Sequence, residues 1–483
     1  MGARRWLVSG AVVAAALGAA GLGGAAYVLQ SEGIAPRTLA PYLEHRAAGH
    51  NGVIVGAAAW GGAKLMEMDR GPALPRAALA TVAGAGARAV PARPGGQETL
   101  VAGAEQLRAA VAAAQPGAVL TLLPGTYRIS GRPLKTGRGG TAAAPITLRA
   151  ASPGTVRLES DTVEAFQISE PHWRLENLTI RGVCQRDDDC EHALHVIGGA
   201  SHFVARNNTI SDFNAHIKIN GHGGRFPDHG LLENNTLTNA RERNTGKPVT
   251  PVDLVAASHW ILRGNLITDF IKAGGDRVSY GAFAKGGGAH NVFERNIVIC
   301  EHLLQRRPGQ RVGLSLGGGG TGKMFCRDQR CVAEQEQGVI RDNLIASCSD
   351  EGLYLNSAAA SKISHNTLLD TSGVLVRFPA SSADLDGNLV DGAIRGRNGG
   401  DARLHDNLAG GVLSQYLGRH PLRQLYREPA ALDFGWREAA PRRAGAETGE
   451  ARPDLCGAAR PAQPRYGAFE DFAACLAPAA ASL

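Results

Sequence analysis

Lys285 stands in Phe283-Ala-Lys-Gly286, where an apolar strand pattern runs into the glycine-rich turn 286–288. A lysine in such a setting loses hydration, so its pKa falls and its neutral amine can accept a proton from carbon. Removing a proton beside a sugar carboxylate, the first step of β-elimination, has three requirements. A cation must neutralise the carboxylate, a base must take the proton, and the leaving oxygen must be protonated. Lys285 is the candidate base. Arg277 could lower its pKa or pair bidentately with the carboxylate. Asp253 is a candidate acid, metal ligand or lysine partner. Lys218 and His216 in Asn214-Ala-His-Ile-Lys-Ile-Asn220, with Tyr354, Asn356 and Arg377, are candidates for binding substrate. Each has a plainer reading: a solvated lysine, a surface salt bridge for Arg377, turn residues for His216, His222 and His229. Asp350-Glu351 is a carboxylate pair that a glycosidase could use, but neighbouring strand residues point to opposite faces.

These residues need a scaffold that brings distant positions to one face. An Asn followed by apolar or Thr residues recurs at Asn177, Asn208, Asn235, Asn265, Asn296, Asn343, Asn366, Asn388 and Asn407. Such a repeat is the mark of a solenoid. Each coil must bend between two strands, and Asn tolerates the left-handed backbone that a bend needs. Stacked Asn amides can bond from coil to coil, while the following Leu, Ile or Val enters the core. The expected fold is all-β, a single-stranded right-handed parallel β-helix over 98–410. The ladder also gives coordinates. Lys285 lies eleven residues before Asn296, Arg377 eleven before Asn388 and Asp253 twelve before Asn265. Equal offsets predict one face, with Asp253 one coil from Lys285 and Arg377 three coils away. Leucine-rich and propeller repeats lack this Asn corner.

The ends of the solenoid are legible too. Glu105 to Ala114 has a helix pattern that Gln115-Pro-Gly117 stops, giving an N-terminal capping helix. Residues 411–483 read as a C-terminal cap and tail, and 31–97 as a linker or loose extension. Residues 1–30 begin with Arg4-Arg5 and continue without charge from Trp6 to Gln30, as in a signal peptide or N-terminal membrane anchor. The body is then periplasmic or extracellular, free or held to the inner membrane.

Eight cysteines fit that compartment, where disulfides outcompete a zinc reading that lacks paired two-residue spacing. Close spacing pairs Cys184 with Cys190 and Cys326 with Cys331. Cys300–Cys348 and Cys456–Cys475 follow by elimination. The long interval between Asn296 and Asn343 holds the Cys326/Cys331 loop, and such loops wall binding faces. Net charge is +7, from 51 Lys and Arg against 44 Asp and Glu. No basic and aromatic array suggests nucleic acid, so an acidic polysaccharide is the better anionic partner. A monomer is expected.

Val111-Ala-Ala-Ala-Gln-Pro-Gly117, Pro124-Gly-Thr-Tyr127 and Pro145-Ile-Thr-Leu-Arg149 resemble the cap and first coil of chondroitinase-B-type β-helix proteins. These form family 6 of the polysaccharide lyases, which includes alginate lyases. Gly274-Gly-Asp276, Phe283-Ala-Lys-Gly286 and Asn291-Val292 are similar to the coil that carries that family's catalytic Lys, and Lys285 falls on it. The next strand, Gly313-Leu-Ser-Leu-Gly-Gly-Gly-Gly320, has no match for the family's catalytic Arg. Its two calcium-binding Glu residues are unmatched, with only Asp276 nearby, so calcium is the one cofactor raised and no motif requires it. The resemblance implies an exported lyase acting on a uronate polymer by β-elimination. The same fold also serves C5-epimerases, glycoside hydrolases and glycan-binding envelope proteins.

Overall fold

The computed structural model describes residues 23–73, 76, 82–87, 97–444 and 452–476. Most of the apolar N-terminal run lies outside them, and among the described residues no helix is long and apolar enough to cross a membrane. From Gln97 to Ala409 the chain winds through three parallel sheets of 12, 11 and 10 strands, one short strand per sheet per coil. This is the expected right-handed parallel β-helix. We call the sheets first, second and third in the order the chain meets them. The helix Ala104–Ala113 lies on the first coil, with Leu107 and Val111 buried. It shields backbone groups that an open solenoid end would expose.

Alternation along each strand builds the core. Ile217 and Ile219 point in, as do Leu254, Ala282, Ala284, Leu314, Leu353 and Val374 on later coils. Between the first and second sheets runs the asparagine ladder. The Nδ2 of Asn208, Asn235, Asn265, Asn296, Asn343, Asn366 and Asn388 each donates to the Oδ1 of the next Asn, at 2.8 to 3.1 Å, ending on Asn407. The left-handed residue is not the ladder Asn but the one before it: Asn207, Asn234, Gly264, Arg295, Asp342, His365 and Gly387. The amide must point inward along the solenoid axis, which the preceding residue's bend makes possible. Asn177 occupies that preceding position and bonds Asn207 instead of joining the ladder.

A second column stands at the turn from the third sheet to the first. His172, His202, His229, His259 and His290 all have φ near +60° and their rings stack at 4.6 to 5.1 Å. His229 therefore belongs to a turn ladder.

The three outer faces differ. The first sheet carries Glu176, Arg206, Glu233, Arg263, Glu294 and Arg341, alternating in sign from coil to coil. The second is covered by the C-terminal segment, where Leu422, Tyr426, Phe434 and Phe469 pack over Ile297, Ile299, Leu344 and Leu389. The segment expected as a linker holds two helices, Pro36–Ala47 and Gly52–Arg70. Buried Arg37 bonds Asp69, Asp370 and the Cys348 carbonyl, and Arg70 pairs with Glu301 and Asp370. Those contacts join the hairpin to the coils, which composition could not reveal. The four disulfides are Cys184–Cys190, Cys300–Cys348, Cys326–Cys331 and Cys456–Cys475, as expected. They fit an oxidising, extracytoplasmic compartment.

Candidate active site

The outer face of the third sheet carries the candidate residues. Parallel pairing sets Lys218 opposite Asp253, Asp253 opposite Phe283, Phe283 opposite Ser315 and Ser315 opposite Tyr354. The neighbouring column holds Asn220, Val255 and Lys285, and further on Asn356 and Arg377. Lys285 and Arg377 thus share a column, three coils apart, as equal offsets predict. Asp253 is one coil from Lys285 but diagonal to it, because the turn before Asn265 is shorter by one residue.

Lys218, Asp253 and Lys285 line one cleft of about 710 Å³. Its walls are the turn carrying His222 and Phe226 and the disulfide loop from Gly320 to Gln329. Arg327 joins them: it donates to both Asp228 oxygens at 2.8 Å and lies 4.5 Å from the Phe226 ring centre. The Lys218 ammonium donates to Asp253 Oδ2 at 2.8 Å, while the buried Oδ1 has no hydrogen-bond partner.

Lys285 differs from Lys218. Among the described residues its ammonium makes no hydrogen bond or ion pair, and it lies 4.4 Å from the Phe283 ring centre. Burial is the main cause that holds its pKa below the usual lysine value. Asp253 opposes that shift, Lys218 adds to it, and Glu334 opposes it. The glycine-rich turn gives the side chain its room. A Cβ on Gly318 would stand 2.9 Å from Lys285 Cδ, and one on Gly319 2.5 Å from Asn356 Nδ2. Buried Glu334 fixes the turn by accepting from the backbone N–H of Gly318, Gly319 and Thr321.

Tyr354, Asn356 and Arg377 form a separate cluster on the same face, outside the lining of the cleft. Asn356 Nδ2 donates to the Tyr354 hydroxyl at 3.0 Å, and Arg377 Nη1 approaches it at 3.4 Å. Burial raises the Tyr354 pKa. Two expected members are elsewhere. Arg277 precedes the strand Val278–Lys285, so it is roughly 26 Å from Lys285 at about 3.3 Å per residue, and its Nε donates to the Ala273 carbonyl. It cannot tune Lys285. His216 faces out of the sheet but is wholly buried, bonded to the Thr238 carbonyl at 2.9 Å, and burial pushes its pKa down to about 4. It does not reach the cleft. Asp350 and Glu351 also diverge: Asp350 accepts from Gln310 and Glu351 pairs with Arg395.

No group of three or more His, Cys, Asp or Glu among the described residues could hold a metal ion. Asp253 is a lone carboxylate paired with a lysine, and Asp276 is bonded to Lys272. These residues do not fit a calcium site beside Lys285. Sequence reasoning missed Phe226, Asp228, Phe283, Arg327 and Glu334. The cysteine-stapled loop pointed to the region of Arg327, but no local signal paired it with Asp228.

No protein-family model matches the chain, and no curated protein matches it in sequence. Among solved structures, pectate lyase Pel9A is similar with a TM-score of 0.50 at 14% identity, over 75% of this chain and 90% of that one. The A-module of the Azotobacter vinelandii mannuronan C-5 epimerase AlgE4 gives 0.41 at 14%, over 64% and 91%. The PL6 family alginate lyase AlyGC gives 0.34 at 14%, over 65% and 51%. The likeness to Pel9A is one of fold.

Proposed function

We propose that this protein binds an acidic, uronate-containing polysaccharide along the third sheet and cleaves it by β-elimination with Lys285 as base. The observation that carries this reading is the ammonium of Lys285, without an ion-pair partner among the described residues, half-buried in a cleft and held below its ordinary pKa. In this reading the Lys285 Nζ takes the proton on the carbon next to the carboxylate. The C–H pair becomes the new C=C bond, the C–O bond to the neighbouring sugar breaks, and that oxygen leaves with a proton returned by the Lys285 ammonium or supplied by water. Lys218 faces the uronate carboxylate, with Asp253 fixing its position. Phe226 supplies an apolar wall for a sugar face. The Tyr354, Asn356 and Arg377 cluster is a further sugar subsite. The fold shared with a pectate lyase is compatible with such a substrate.

The test is incubation with alginate, pectate and chondroitin, followed by ultraviolet absorbance of unsaturated product. Lys285→Ala is expected to slow product formation by about 10²–10⁴-fold. Undiminished product from Lys285→Ala sinks the assignment. A second reading is binding without cleavage, favoured by Gly317, which follows the strand on the next coil where a cation could have stood beside Lys285. Retention of wild type in polysaccharide-containing gels with no product from any substrate would select it.

A further inference from the structure

A second pocket, of about 540 Å³, opens over the second sheet rather than the third. Its floor includes Ala346 and Leu369, the last residues of two neighbouring strands of that sheet. Its walls come from the end of the helix Gly52–Arg70 and from the C-terminal cap. Six arginines line it, Arg70, Arg76, Arg306, Arg423, Arg427 and Arg437, against the acidic Asp370 and Glu428. Three are committed elsewhere: Arg70 to Glu301 and Asp370, Arg423 to Asp391, Arg427 to Asp433. Arg76, Arg306 and Arg437 make no ion pair among the described residues. Arg76 has one hydrogen bond, from Nη2 to the Ser347 hydroxyl at 2.7 Å, and its buried Nε and Nη1 have no partner among the described residues. The Nη2 of Arg423 makes no hydrogen bond but lies 3.6 Å from Asp69 Oδ1 and 3.8 Å from Asp370 Oδ1. The Nη2 of Arg306 donates to the carbonyls of Arg70 and Gly71, which ties it to the pocket wall.

Asp370, Glu301 and Asp269 lie near Arg76, and Asp370 and Glu301 near Arg306, but buried guanidinium N–H groups left without an acceptor are still costly, and an oxyanion in the pocket would accept from them. Burial holds Arg76 below its ordinary pKa and lowers Arg306 to about 10. The donors come from three separate segments instead of one fork. A carboxylate is satisfied by a single bidentate arginine, whereas a tetrahedral oxyanion can accept from several at once. We propose that this arginine pocket is a binding site for a phosphate-type oxyanion, either a soluble phosphate monoester or a phosphate carried on a lipid headgroup. The site is separate from the Lys285 cleft and does not depend on the reaction proposed there.

The test uses the full chain, titrated with inorganic phosphate by calorimetry at constant ionic strength, with acetate as the carboxylate control. Saturable phosphate binding, at least about tenfold tighter than acetate, is expected. Arg76→Gln and the exposed Arg437→Gln should each weaken it at least about tenfold, while Lys285→Ala binds as wild type. Cosedimentation with phosphatidylglycerol vesicles, competed by phosphate, would assign the ligand to a lipid. Phosphate binding without vesicle retention would assign it to a soluble molecule. Absence of saturable phosphate binding, or wild-type affinity in both arginine variants, overturns the proposal.

Discussion

At the scale of single residues, two lysines in one cleft are set to different tasks by what they touch. Lys218 is held by Asp253 at 2.8 Å and stays a positioned charge. Lys285 has an aromatic face and glycines around it, so its charged form is poorly solvated. Asp253 is the group that most opposes the lowered pKa of Lys285, and its loss also leaves Lys218 an uncompensated positive neighbour. Asp253→Asn should therefore lower the Lys285 pKa further. If Lys285 is the base, the rising limb of a rate-versus-pH curve then moves to lower pH. A limb that stays in place or moves to higher pH would separate Lys285 from proton abstraction.

At the scale of elements, the asparagine ladder is the part whose energetics are most exposed to test. Asn296 donates to the Leu262 carbonyl and to Asn343, and accepts from the backbone and side chain of Asn265, all at 2.8 to 3.0 Å and all buried. Asn296→Ala leaves those groups unpaired away from water, and we expect a loss of about 3 kcal/mol. Asn407 ends the ladder half-buried, where water can replace its bonds, so Asn407→Ala should cost about 1 kcal/mol. Denaturant midpoints for the two variants check this. Equal losses would mean that the ladder does not depend on burial. The charge column on the first sheet is half-buried and keeps one edge in water, so each pair should contribute less than a ladder Asn.

At the scale of the molecule, the three faces divide the work. One carries a half-buried column of alternating charge, one lies under the C-terminal cap, and the third is left open for the cleft. Burial of titratable groups across this assembly links stability to pH. The folded-state pKa of His216 is pushed down to about 4, against an ordinary value of about 6.5. Its contribution is complete above pH ~6.5 and disappears as pH falls towards 4, about 3 kcal/mol in all. Asp350 has the opposite sign, because burial raises its carboxyl to about 7, so it favours the folded state as pH falls below that value. The clean measurement is a difference. The stability gap between wild type and His216→Asn, from denaturant titrations, should shrink between pH 6.5 and 4. A gap independent of pH would show that His216 titrates alike in both states.

The repeat of Asn before apolar residues was enough to specify the β-helix, because a buried amide ladder and an inward apolar residue leave a periodic trace in sequence. Close spacing paired Cys184 with Cys190 and Cys326 with Cys331, and the other two disulfides followed by elimination. The counting also put Lys285 and Arg377 in one column. Tertiary structure alone decided the rest. Loop lengths vary from coil to coil, so Asp253 shifted to the neighbouring column, and His216 is buried against the Thr238 carbonyl. Arg277 is close to Lys285 in sequence yet a full strand away in space. Arg327 clasps Asp228 across 99 positions, and the arginine pocket gathers residues from Arg70 to Arg437. Such contacts have no period, so only the folded chain brings them together.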